Sequence, residues 1–262
     1  MITGTTKIYF MLAHPIAHVR TPEVLNPIFK ARGIDAVMAP LHFHPGEFAI
    51  GWRGLQAMRN LGGFVVSVPL KEAAFRLADA ADESAAAVGG ANTVRRESDG
   101  RMVCANFDGP GFMAGLLGGS GDAEGRRALL VGAGGAGTSI AFSLAQAGAA
   151  SIRLADIDPA RTERLVAAVK ARHPAFDIAA GAPDAAGCDL VINATPCGLH
   201  PDHDPLPLDV TRLTPGTIVA DIIMKPATTP LLAAAQKAGC DVRYGAGMLD
   251  RQIDMMMAFF GY

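Results

Sequence analysis

Three glycines, Gly132, Gly134 and Gly137, follow the apolar run Leu129-Leu130-Val131 and precede a helix-forming segment. In a G-x-G-x-x-G turn the first glycine permits the reversal and the second lets backbone N–H groups reach a pyrophosphate. The third lets the helix pack closely on the strand. The unsatisfied N–H groups of that helix, through Ser139 to Ala147, and its positive dipole end then face phosphate charge. Glycine clusters also serve ordinary loops. Here a second strand, Ser151–Ala155, and the acidic Asp156 at its end complete the dinucleotide-binding context. Asp156 accepts hydrogen bonds from ribose hydroxyls, and with Asp158 it repels the 2′-phosphate of NADP. NAD is therefore the expected cofactor, with NADP the alternative if Arg153 or Arg161 folds over the site.

Oxidation of an alcohol removes a proton together with the hydride, so a dinucleotide fold needs a proton-transfer group presented to it. Lys71 follows the buried strand through Ser67-Val68-Pro69-Leu70, and Asp108 opens a helix just after a hairpin. A lysine in a dry cleft beside a carboxylate is tuned to exchange a proton near neutrality. The same two positions suit a solvated lysine and a helix-capping aspartate equally well, and spacing alone does not choose between them.

The elements that must position these groups alternate along the chain. Strand Lys7–Leu12 leads through a Pro-bounded loop to Thr21, which is expected to cap a helix with Pro22 at its first position, stopped by Gly33. Strand Ala36–His42 and a helical pattern within Pro45–Asn60 follow. Then comes Phe64–Val68, apolar on both faces and hence central in a parallel sheet. Helices are predicted at Glu72–Ala80 and Glu83–Val88, and a hairpin over Asn92–Glu97 and Arg101–Asn106 turns on Asp99-Gly100. The fold class expected is α/β with two α/β domains. Residues 1–118 form a mostly parallel, substrate-binding sheet domain, and 119–245 a Rossmann-type domain, with the boundary at the glycine-rich 118–125. The terminal helix, 246–262, returns to the first domain. Its methionines read as packing rather than as a cofactor box.

At 262 residues, half of them apolar and with a formal net charge of −2, the chain has no basic stripe of the kind a nucleic-acid partner requires. Ile8–Ala13 is too short for a membrane span, and no charged-then-apolar leader is evident, so a cytoplasmic location is expected. The cysteines stand singly and the histidines form loose pairs (His14 with His18, His42 with His44, His200 with His203), without metal-ligand spacing. No metal is expected.

Over essentially its full length the chain resembles the shikimate/quinate dehydrogenase family. The motifs are His14-Pro15-Ile16-Ala17-His18, Ser67-Val68-Pro69-Leu70-Lys71, Gly90-Ala91-Asn92-Thr93, Asn106-Phe107-Asp108-Gly109, the glycine turn, Asn193-Ala194-Thr195-Pro196-Cys197-Gly198, and Gly247-Met248-Leu249 with Gln252. The resemblance implies hydride transfer between a nicotinamide and a ring hydroxyl or ketone of a cyclic polyhydroxy carboxylate. It makes Lys71 and Asp108 the catalytic pair, and Thr21, Ser67, Asn92 and Gln252 substrate-binding residues. Gly132, Gly134, Gly135, Ala136, Gly137, Asp156, Asn193, Ala194, Thr195, Gly245 and Met248 would line the cofactor. A monomer or homodimer is expected.

The departures from that pattern share a direction. Val19 and Thr21 stand where two serines grip the substrate carboxylate, Val65 replaces an asparagine, Phe107 a threonine and Met224 a tyrosine. A buried carboxylate costs about 1–3 kcal/mol for each missing partner, which argues against an unaltered shikimate pocket unless Arg20 compensates by charge. The alternatives are a dehydrogenase of a less polar or amino-substituted analogue, and a non-catalytic dinucleotide sensor.

Overall fold

The computed structural model describes residues 1–262 apart from His18, so the second histidine of the 14–18 motif lies outside the described residues. The chain divides into two compact units, Met1–Phe107 with Ile253–Tyr262, and Asp108–Gln252.

The first unit contains β1 (Lys7–Ala13), α1 (Thr21–Ala31), β2 (Ala36–His42), α2 (Phe48–Ala57), β3 (Leu61–Val66), α3 (Lys71–Leu77), β4 (Ala80–Ala81), α4 (Glu83–Val88), β5 (Thr93–Arg96) and β6 (Met102–Ala105). Among the described residues its sheet runs β2-β1-β3-β5-β6-β4. β1 pairs parallel with β2 and β3, and the β5–β6 hairpin adds antiparallel strands beside β3. Trp52, Phe48 and Leu55 of α2 pack with Phe64 and Val66 of β3, and Trp52 meets Phe64 edge-on at 5.2 Å.

Two local expectations are corrected here. Thr21 does not cap α1: it is the first, buried residue of the helix, Arg20 holds the cap position, and no side chain accepts there. The central strand begins at Leu61 and ends at Val66. Gly62 and Gly63, expected as a break between the helix within Pro45–Asn60 and the strand Phe64–Val68, are part of the strand, and a side chain at either would strike the Tyr9 ring or the Val94 carbonyl.

The second unit begins with α5 (Asp108–Leu116) and continues with β7 (Arg127–Val131), α6 (Gly135–Gln146), β8 (Ser151–Ala155), α7 (Pro159–Arg172), β9 (Asp177–Ala180), β10 (Leu190–Asn193), β11 (Ile218–Asp221), α8 (Pro230–Lys237), β12 (Asp241–Tyr244) and α9 (Ala246–Phe260). Its sheet, in the order β12-β11-β10-β7-β8-β9 among the described residues, is parallel throughout. The strand order reverses beside β7. In such a sheet the crevice beyond the strand ends at the reversal is where ligands bind. Buried Leu129, Val191 and Val219 fill one face of this sheet with Leu231 and Leu232 of α8.

From Ile253 onward α9 belongs to the first unit. There Arg95 lies 4.7 Å over the Phe259 ring and donates to the Phe259 carbonyl at 2.6 Å, while Tyr9 packs against Phe260. Met256 and Met257 are buried, as packing residues should be.

The edge of the first sheet has one polar fastening. Asn26 of α1 donates to the Met38 carbonyl and accepts from the Met38 N–H, both at 2.8 Å. Asn26→Ala leaves both backbone groups of a buried residue unpaired and is expected to lower stability by about 1–3 kcal/mol, read as a reduced urea midpoint at unchanged m-value.

Candidate active site

The turn after β7 is built as the glycine spacing requires. Gly132 has φ +109°, and its N–H donates to the Ala155 carbonyl at 2.8 Å. A Cβ on Gly137 would overlap the Gly132 carbonyl, so only glycine lets α6 come this close to the strand. α6 starts at Gly135 behind Gly134, with no capping side chain and no acidic residue in its first turn. The N–H groups of Gly135, Ala136 and Gly137 and the positive end of the helix therefore remain available to an anion, which suits a dinucleotide pyrophosphate.

Asp156 stands directly beside this turn. One carboxylate oxygen accepts from the Ala133 N–H at 2.7 Å, the other from the Asp158 N–H at 2.9 Å. The residue expected on the ribose also fastens the glycine turn to the end of β8. The two cations considered as partners for a 2′-phosphate are both engaged. Arg153 donates to the Asp184 and Ala186 carbonyls at 2.6 and 3.4 Å, and Arg161 pairs with Asp158 at 3.4 Å.

After β10 the segment Asn193–Thr195 lies against the glycine turn. Ala194 donates to the Val131 carbonyl, and a Cβ on Gly132 would sit 2.7 Å from the Ala194 oxygen. Gly245 presses on the backbone of Ile222 and Ile223 at the end of β11, and Met248, in the first turn of α9, is buried. Apart from Met248, the expected cofactor residues thus follow the C-terminal ends of β7, β8, β10 and β12.

Asp108 is the first residue of α5 and is 5 % exposed. Gln252 donates to its carboxylate at 3.3 Å, and the neighbouring Gly109 N–H donates to Ser139 Oγ at 2.7 Å. Gly115 of α5 and Gly247 of α9 face each other so closely that a Cβ on either meets the other's backbone, which brings Gln252 within reach of Asp108. Ser139 is a contributor that sequence reasoning missed: the sequence places it only at the start of the helix, which the structure begins at Gly135.

In the first unit, Ser67, Lys71 and Asn92 gather at the same end of the sheet. Ser67 donates its N–H to Leu12 at 2.7 Å, and Lys71 opens α3, its carbonyl accepting from Ala91 N–H at 2.9 Å. Asn92, 2 % exposed, accepts the Phe107 N–H and the Thr93 hydroxyl on Oδ1, both at 3.0 Å. Its side chain thereby sets where the chain leaves β6 for Asp108. Phe107 packs edge-on against Phe259 at 5.7 Å. Arg20 is ion-paired with Glu23 at 3.3 Å.

The histidines regroup in the fold: His14 Nδ1 lies 2.9 Å from His42 Nε2, with His44 edge-on to His14. Among the described residues no group of three or more His, Cys, Asp or Glu is arranged to hold a metal. Nor is any helix of them long and apolar enough to cross a membrane.

A glycine turn closing on an uncapped helix, in a parallel sheet that reverses beside it, defines a dinucleotide-dependent oxidoreductase of two α/β units. Residues 11–94 match the model of the shikimate dehydrogenase substrate binding domain. The chain is 36% identical to the shikimate dehydrogenase (NADP(+)) of Rubrobacter xylanophilus, over 95% of its own length and 88% of that protein. Shikimate 5-dehydrogenase from Listeria monocytogenes, in complex with shikimate and NAD, superposes with a TM-score of 0.90 at 29% identity, covering 99% of this chain and 93% of that one. The 5-ketofructose reductase of Gluconobacter sp. strain CHM43 superposes at 0.87 and 30% identity, covering 98% and 93%. The chain belongs to the shikimate dehydrogenase family and is an NAD(P)-dependent oxidoreductase acting on CH–OH groups.

Ser139→Ala removes the acceptor of the buried Gly109 N–H next to Asp108. The expected loss is about 1–3 kcal/mol of stability, measured by urea unfolding of the whole chain.

Proposed function

We propose that the chain interconverts a ring hydroxyl and ketone of a cyclic polyhydroxy carboxylate, shikimate or quinate in type, with NAD preferred over NADP. The observation that carries the cofactor preference is the Asp156 carboxylate held at the glycine turn, with Arg153 and Arg161 both engaged elsewhere. A 2′-phosphate brought there meets the Asp156 carboxylate, and the nearby Arg161 guanidinium is already paired with Asp158, whereas ribose hydroxyls find an acceptor. This preference differs from that of the Rubrobacter relative, whose name specifies NADP(+).

When bound, the nicotinamide supplies or takes up the hydride. The protein's own part is the proton. Lys71 exchanges it with the substrate hydroxyl oxygen, and Asp108, buried and held by Gln252, is the carboxylate that the family resemblance assigns to the same step. Asn92 and Gln252 contribute amide groups that match ring hydroxyls, and Ser67 and Thr21 contribute hydroxyls.

A second reading is favoured by the positions at which this chain departs from the family pattern. Val19 offers no donor, Arg20 is paired with Glu23, and Phe107 presents a ring packed on Phe259. These residues suit a neutral polyhydroxy ketone, the kind of substrate named for the Gluconobacter reductase, better than an anion.

A panel of shikimate, quinate and 5-ketofructose with NAD(H) and NADP(H), followed by absorbance of the reduced cofactor, separates these readings. Turnover on a carboxylate supports the first, turnover confined to the ketone the second, and binding without turnover a sensor. On whichever substrate is turned over, Lys71→Ala is expected to lower kcat by about 10²–10⁴ with dinucleotide affinity little changed. Asp156→Ala is expected to narrow the ratio of kcat/KM for NAD over NADP. A wild-type enzyme already faster with NADP would contradict the electrostatic argument.

A further inference from the structure

Asp221 ends β11, is fully buried, and is absent from the set of residues expected to touch substrate or cofactor. An isolated carboxylate there would cost far more than it returns, and it is retained because donors surround it. Thr229 Oγ1 donates to it at 2.7 Å, the Ile223 N–H at 3.0 Å, and Asn193 Nδ2 lies 3.2 Å from both of its oxygens. Burial still pushes its carboxyl above the usual range, and these hydrogen bonds pull the other way.

The consequence lies one residue further out. An asparagine amide has a donor end and an acceptor end, and a carboxylate takes only donors. Asp221 therefore fixes which end of Asn193 faces inward and which faces the dinucleotide-side loop. With Nδ2 committed to Asp221 and to the Cys197 carbonyl at 3.1 Å, Oδ1 must face Thr195. There it accepts the N–H at 3.1 Å and the hydroxyl at 2.6 Å. Thr195 Oγ1 in turn accepts the Cys197 N–H at 3.1 Å, which closes the loop on itself. Ala194, between them, is the residue whose carbonyl lies against Gly132.

We propose that Asp221 is a positioning residue for dinucleotide binding: its carboxylate selects the rotamer of the Asn193 amide and so holds the 193–197 loop in the shape that faces the glycine turn. Thr229 secures the arrangement from the other side, since its hydroxyl both donates to Asp221 and accepts the Leu232 N–H at the start of α8. The inference rests on the reading of Asn193, Ala194 and Thr195 as cofactor-lining.

Asp221→Asn is nearly isosteric but offers one acceptor and one donor where only acceptors fit, so the preference of Asn193 for its present orientation weakens to what Cys197 and Thr195 supply. The test titrates NADH by fluorescence into wild type, Asp221→Asn, Thr229→Val and Thr229→Ser, with the folded state of each checked by circular dichroism and thermal melting. On the substrate that wild type turns over, KM for the dinucleotide and for that substrate are measured in parallel. The expected result is a rise of about tenfold in NADH Kd and dinucleotide KM for Asp221→Asn, a smaller rise for Thr229→Val, and recovery in Thr229→Ser, with substrate KM little changed. A purely structural role predicts a lower melting temperature with unchanged Kd, and that result overturns the proposal. If Asp221→Asn does not fold, Thr229→Val against Thr229→Ser decides by the same criterion. Wild type that binds neither NADH nor NADPH, titrated the same way, refutes the cofactor-lining reading itself, whereas wild type that binds and an equally tight Asp221→Asn refute this inference alone.

Discussion

The second unit depends on one close approach. The Gly132 carbonyl sits where a Cβ of residue 137 would be, so α6 meets the end of β7 with no side chain between them. That contact aims an uncapped helix end, without a neutralising carboxylate in its first turn, at the crevice where the sheet order reverses. The partial positive charge of a helix terminus fades within a turn, so binding strength depends on holding that terminus at the right place. The surrounding residues do so: Asp156 fastens Ala133 of the turn, and Ala194 lies against Gly132 from the neighbouring strand.

Much of this was legible in the sequence because its causes are local. Strand–glycine–helix–strand order fixed the turn, and the acidic residue followed at the expected spacing. β2 (Ala36–His42), β8 (Ser151–Ala155), α4 (Glu83–Val88) and α9 (Ala246–Phe260) fall where apolar pattern and turn residues predict. What was not legible depends on pairs distant in sequence. Gly62 and Gly63 read as a break because Tyr9 and Val94, which demand glycine there, lie far along the chain. Thr21 read as a cap by residue type, yet burial drew it into the helix. Ser139 carries no motif and Thr229 only the Thr-Pro pattern of a helix cap, so their further contacts, with the Gly109 N–H and the Asp221 carboxylate, follow only from the fold. For Asp156 the sequence suggests a ribose contact, and the structure adds a hydrogen bond to the glycine turn.

The first unit tells a complementary story about substrate. Its polar residues at the strand ends, Ser67, Lys71 and Asn92, match what a hydroxylated ring needs, and Asn92 also spends its oxygen on the Phe107 N–H. Where the family resemblance calls for hydroxyl and amide donors, this chain has Val19, Val65 and Phe107, and the last is fixed by an aromatic contact with Phe259. Exchanging donors for apolar surface weakens recognition of an anion more than that of a neutral polyol, because hydrogen bonds to charge are the stronger ones. Under the proposed function, the residues that move the proton and those that choose the substrate are separable, so the one can be kept while the other drifts.

The central claim is that the end of α6 behind the glycine turn holds the dinucleotide pyrophosphate. A crystal structure of the chain with NAD tests it most directly. The account predicts pyrophosphate oxygens about 3 Å from the N–H groups of the first turn of α6, with the adenosine ribose hydroxyls on Asp156. A pyrophosphate bound elsewhere, or a ribose turned away from Asp156 toward Arg153 or Arg161, would contradict it.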